Sequence, residues 1–271
     1  MTTLSVGEEG FFWFFGVVED IEDPLQVGRV RVRIYNQHNE DKNQMPKEAL
    51  PWAMVLQSSV SAASDGIGIS PTGIAIGSTV IGFFVDGMEK QIPFVLGTYA
   101  GIPKDNDVAQ VARGKNSVSK EKVGPEPDQT YDSKYPHNKT MTTTSGHVIE
   151  IDDTPNAERI HIFHKSGSYV EMNQDGSVVS KAAGSNFDIV AKDKTIYVGG
   201  NANIEIGGNA KIDVGGTVDA TVGGQVNIQA SKVNIGCDVI VDGDVVASGI
   251  SLTKHIHGGV DTGPGKTSKP E

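Results

Sequence analysis

The 271-residue chain sets 23 Lys and Arg against 34 Asp and Glu, a formal net charge of −11, and holds 33 glycines, few aromatics and one cysteine. An acidic chain lacks the Lys/Arg patches that meet phosphates, so a nucleic-acid binder and a protein held on an anionic membrane are excluded. A single cysteine, Cys237, excludes an intrachain disulfide framework, and this much glycine without a collagen triplet points to an all-β, repeat-containing architecture.

The first region, residues 1–100, reads as a small closed β-barrel of the OB type. Phe11, Phe12, Trp13, Phe14 and Phe15 form its densest apolar run, too short to span a bilayer and more than one strand face can bury. Part of the run is expected in the barrel core and part on a docking surface for another protein. No basic stretch with an apolar run and cleavage site marks a secretory signal near Met1. Gly28 to Tyr35 alternates Arg29, Arg31 and Arg33 with apolar residues, a strand with one charged face expected to pair with acidic groups of a neighbouring protein. Pro51 to Leu56, Thr79 to Val85 and Ile92 to Leu96 supply further strands between turn residues.

Residues 101–144 are polar and rich in Lys, Asp, Gly and Pro, the composition of an extended linker that wraps other surfaces. Glu121, Glu126 and Asp128 are expected there as solvated charges. Residues 145–250 resume strand patterns, as in His147–Ile151 and Arg159–Phe163. His161 and His164 fall on opposite faces of such a strand and read as packing or surface residues; His38, His137 and His147 have no ligand-spaced partner.

Glycine pairs then recur every eight residues, at Gly199-Gly200, Gly207-Gly208, Gly215-Gly216 and Gly223-Gly224. From Ile196 to Ala230 each even-numbered position is apolar or small, one inward face held through several corners, with the glycine pairs as the corners. An octad spans at most ~26 Å, one side of a triangular prism rather than a whole coil. Three intertwined copies, each supplying one side, turn four octads into a long closed prism, whereas one chain would complete little more than a single coil. A homotrimer is therefore expected. The phase shifts by one residue near Ser231-Lys232, which places Cys237 inside.

Gly16-Val17-Val18-Glu19-Asp20, Asp23-Pro24-Leu25, Leu50-Pro51-Trp52, the Ser61–Gly73 loop, Val95-Leu96-Gly97-Thr98-Tyr99, Ser145–Glu150 and the glycine octads occur in the order seen in the central spike proteins of T-even-type contractile-tail baseplates. The chain resembles that family over nearly its whole length, and its octads are also similar to the valine-glycine repeat spikes of type VI secretion. One departure is that the T-even spike carries a lysozyme domain where this chain has about forty linker residues. No pair of carboxylates suits a glycosidase acid and base.

The resemblance implies a non-enzymatic, membrane-piercing central spike of the virion, made in the host cytoplasm and placed at the tail baseplate tip. Its expected partners are two further copies of itself, the trimeric baseplate hub docked through Phe11–Phe15, and the host outer membrane, contacted mechanically.

Residues 251–271 form the expected apex. His255 and His257 share a strand face, so three chains bring six imidazoles to one axis, an octahedral nitrogen site suited to a first-row metal. Similarity to the His-x-His tip of short contractile-tail spikes makes iron the expected ion. Rival readings are a type VI-like spike, a peptidoglycan hydrolase component, a hexapeptide-repeat acyltransferase and a calcium-loaded nonapeptide repeat. The eight-residue period argues against the last two.

Overall fold

The computed structural model describes residues 10–65, 67–100, 122–128, 131–256 and 263. Among them there is no α-helix, and no helix long and apolar enough to cross a membrane. They divide into two compact units, Met1–Lys194 and Thr195–Glu271.

Strands β1 (Phe12–Asp20), β2 (Val30–Ile34), β3 (Trp52–Val55), β4 (Thr79–Phe84) and β5 (Pro93–Tyr99) close a barrel in the order β1-β2-β3-β5-β4. Only β3 and β5 run parallel; the other neighbours are antiparallel. All four strands expected from periodicity after the aromatic run are present, because each carries a period-2 apolar face that the closed barrel can bury. Those faces meet in a core of Phe14, Val18, Val30, Val32, Ile34, Ala53, Val80, Phe84 and Val95.

Two glycines permit this closure. A Cβ on Gly82 would stand 2.3 Å from the Phe94 carbonyl oxygen and 2.5 Å from Phe14 Cζ, and one on Gly16 would meet Val32 and the Arg33 carbonyl at 2.5 and 2.6 Å. Both sites need a bare backbone for close approach.

A second sheet is an antiparallel meander of β6 (Asn138–Thr142), β7 (Val148–Asp152), β8 (Arg159–Phe163), β9 (Tyr169–Asn173) and β10 (Val178–Lys181), ordered β10-β9-β8-β7-β6. Strand β6 falls in the stretch read as linker. Asp152 shapes the turn after β7: its Oδ1 accepts the Thr154 amide at 2.9 Å and the Thr154 hydroxyl at 2.6 Å, and Asn156 takes φ 63°.

After Lys181 the single chain offers its backbone no partner strand until β11 (Val246–Ala247) and β12 (Ile250–Ser251), which pair around Ser248-Gly249. The positive φ at these two residues, 50° and 82°, is the twist a two-residue hairpin requires. Between the sheet and this hairpin the chain bends at each octad glycine pair, as the spacing predicts. None of those eight glycines needs positive φ. All residues from 182 to 250 are exposed, Cys237 among them.

Substituting Gly82→Ala in the full chain is expected to cost about 1–3 kcal/mol by overpacking β4 against β5 and Phe14. Guanidinium titration followed by tryptophan fluorescence would measure it, with Gly87→Ala, which meets nothing within 4 Å but sits at φ 62°, reporting backbone strain alone.

Candidate functional site

The aromatic run at the barrel's start is divided by the pleat of β1. Phe14 is 4% exposed and Phe12 packs against the same core, so these two are removed from the expected docking set. Phe11, Trp13 and Phe15 point outward and are about half exposed. Phe11 and Trp13 meet Phe83 of β4 edge-on at 5.2 and 5.8 Å, Phe83 stacks on Phe94 of β5 at 5.5 Å, and Phe15 meets Tyr99 at 5.8 Å. The outer wall of β1, β4 and β5 thus presents an aromatic patch of the kind that marks an interface.

The arginine row of β2, expected to face a neighbouring protein, is satisfied within the chain. Arg33 forms a two-pronged pair with Glu19 at 2.9 and 2.8 Å, Arg29 bonds Asp23 at 2.7 Å, and Arg31 donates to the Lys47, Glu48 and Leu50 carbonyls while lying over the Trp52 ring. The Arg33 hydrogen bond holds the Glu19 carboxyl down to about 2. Sequence spacing showed the charged face but not the acidic partners that the bend at Asp20–Asp23 folds back beside it.

The meander buries its polar face. Val148, Glu150 and Asp152 of β7, Arg159, His161 and Phe163 of β8, and Tyr169 and Glu171 of β9 are all buried, whereas Ile149, Ile151, Ile160, Ile162, Val170 and Met172 are 40–54% exposed. Arg159 bridges the two buried carboxylates, Nη2 to Glu150 Oε2 at 2.7 Å and Nη1 to Glu171 Oε2 at 3.0 Å. His161 Nδ1 lies 3.8 Å from both of those oxygens. Residues 131–137 cover this face: Tyr131 lies over Arg159, Ser133 donates to Glu150 and Asp152, and the Lys134 amide donates to Thr154 Oγ1 at 2.9 Å.

Glu126 corrects its sequence reading as a solvated charge. Its side chain is 8% exposed and accepts hydrogen bonds from Lys181 Nζ at 2.7 Å, Tyr169 Oη at 2.8 Å and the Val123 amide at 3.0 Å. The Lys181 hydrogen bond leads the causes that lower its pKa from 4.5 to about 2. Asp128 is exposed as expected and pairs with Lys122; Glu121 lies outside the described residues. His147, expected to have no partner, stands against His164 with ring centroids 4.4 Å apart across the β7–β8 hairpin.

At the apex, β11 and β12 bring the chain to His255. Its Nδ1 lies 2.9 Å from the Ser251 carbonyl oxygen, and a carbonyl only accepts. The contact therefore places a proton on Nδ1. His257 lies outside the described residues, and among them no group of three or more His, Cys, Asp or Glu could hold a metal within one chain.

The chain thus combines a closed five-stranded barrel, a run of glycine octads and a C-terminal hairpin that leads to His255. Residues 33–120 match the model of the Gp5 N-terminal OB domain and residues 249–271 that of the GpV apex motif. Protein Gp5 of Vibrio phage KVP40 is 31% identical, with 74% of this chain and 64% of that protein aligned. The pre-baseplate central spike protein Gp5 of Enterobacteria phage T4 is 48% identical over 98 residues, 34% of this chain and 17% of that protein. The chain is a relative of the Gp5 spike proteins of T4-like phages, and it spans less than two thirds of the length of these relatives.

Because the folded-state pKa of Glu126 is depressed, its contribution to stability is complete above pH 4.5 and is lost as the pH falls towards 2. The Glu126→Gln variant should lose that segment of the stability–pH curve while matching the parent's slope above pH 5, as read by thermal melts from pH 2 to 7. Arg159→Met, which strands two buried carboxylates, should cost about 3–5 kcal/mol in the same melts at pH 7.

Proposed function

We propose that the chain is the non-enzymatic central spike of a contractile phage tail baseplate, acting as a homotrimer that is driven through the host envelope when the sheath contracts. The observation that carries this reading is the row of alternate aliphatic side chains along the octads: Ile204, Ile212 and Ile228 are 85%, 84% and 72% exposed in the single chain. Burying each is worth about 1.5–3 kcal/mol, and only other strands of the same eight-residue period match the row. Two further copies supply them. The exposed aliphatic face of the meander, which includes Ile149 and Ile162, asks for cover of the same kind.

The mechanism is mechanical. A prism closed from three chains has no free strand edge, and each inward row packs against two others, so axial load is spread over backbone hydrogen bonds between copies rather than carried by bending of one strand. The barrel's aromatic face, Phe11, Trp13 and Phe15, docks to a trimeric hub in the baseplate. At the tip His255 and His257 of three chains would hold an iron ion, which would tie together chain ends that otherwise fray. The Glu150–Arg159–Glu171 cluster is buried, with both carboxylates held by Arg159, which suits a brace and not a hydrolase.

Native mass spectrometry of the purified chain, with elemental analysis of the same sample, tests the reading. The expected result is three chains and one iron ion, with iron lost and the trimer kept in His255→Ala/His257→Ala. A monomer would overturn the prism. Trp13→Ala should weaken binding to the hub protein at least tenfold without changing the trimer mass, whereas unchanged binding would remove the aromatic face from the docking role.

A further inference from the structure

We propose that Phe187 and Ile189 of one copy seat in a groove on the meander of the next copy, a contact that closes into a collar where the octad run begins. The inference rests on the trimer proposed above and names the residues through which neighbouring copies meet there.

The groove follows one cross-strand row of the meander's outer face. Strand register sets Met141, Ile149, Ile162, Val170 and Ser180 side by side across β6 to β10. The four apolar members are 40–62% exposed. The space above them is about 770 Å³, it is also lined by Ala182 and Asn186 where the chain leaves β10, and no Asp or Glu stands among the described residues that line it. Beside this row lies a second, Ile151, Ile160 and Met172, so the groove is continuous with the aliphatic face that the trimer has to cover.

The occupant is indicated by a fault in the alternation just past the sheet. The chain bends at residues 183–184 and 191–192, sixteen and eight residues ahead of Gly199-Gly200, so residues 185–190 form the first side of the octad run. In the octads the apolar row falls on even numbers. Here Asn186 and Asp188 hold even positions, while Phe187 and Ile189 stand on the odd row, 81% and 88% exposed. Alternation turns these two away from the prism interior, so the sides that bury Ile204 and Ile212 cannot bury them. Their own groove is bordered by Asn186 instead, which leaves the pair for the groove of another copy. Ser185, Phe187 and Ile189 bring no charge to that apolar floor, so no ion is desolvated on docking. Each copy gives one segment and receives one, a head-to-tail contact that a threefold rotation closes.

The test places a photoreactive side chain in the full-length protein. Phe187→p-benzoylphenylalanine, irradiated and run on a boiled denaturing gel, should give two- and three-chain species, with mass spectrometry locating the cross-links on peptides that carry Ile149, Ile162 or Val170. The reciprocal variant, Ile162→p-benzoylphenylalanine, should attach to residues 185–190 of another copy. In that background Phe187→Asp should reduce the cross-linked fraction at least tenfold and Phe187→Leu should keep it. Cross-links confined to one chain, or falling outside the meander, overturn the collar, and a native mass of three chains in the same sample leaves the trimer standing. A native mass of one chain overturns the trimer and this inference with it.

Discussion

An alternating strand must cover its apolar face, and this chain carries far more such face than it can cover alone. The barrel meets the requirement within itself, since five strands closed into a ring turn every inward residue onto another. The octads cannot. Their glycine pairs bend the chain before any segment reaches back to pair with its predecessor, so backbone and side chains are left facing outward together. The proposed trimer supplies that missing cover.

The meander between barrel and octads shows how the same requirement reshapes an ordinary sheet. Its polar face is the buried one, with Glu150 and Glu171 both paired to Arg159 and a strap that includes residues 131–137 laid over them. Its aliphatic face remains outside. A buried ion cluster of this kind adds little net stability compared with packed aliphatics, but it is strongly directional. It fixes which face of the sheet turns to its own chain and leaves the other exposed. Glu126, latched to Lys181 and Tyr169, joins the strap to the last strand, so covering the polar face and ending the sheet are one structural event.

The barrel and the C-terminal hairpin are built on a different principle from the octads. Each is organised by local contacts that one copy of the chain completes: the Arg33–Glu19 and Arg29–Asp23 pairs brace the barrel wall, and Asp244, Ser251 and Thr253 tie the hairpin.

Much of this was legible from residue order. The barrel strands followed from period-2 patterns bounded by turn residues and the bends from glycine pairs eight apart, because these depend only on local order along the chain. What only the tertiary structure decided depends on which segments come together across the chain. Phe12 and Phe14 went inside while Phe11, Trp13 and Phe15 stayed out, since strand pairing set the phase of β1. The arginines of β2 found Glu19 and Asp23, and Glu126 became a buried latch rather than a solvated charge. The meander hid its charges, although aliphatic alternation alone would place Ile149 and Ile151 in the core. Alternation states that a strand has two unlike faces; which face is buried is set by what the fold, or another copy of the chain, lays against it.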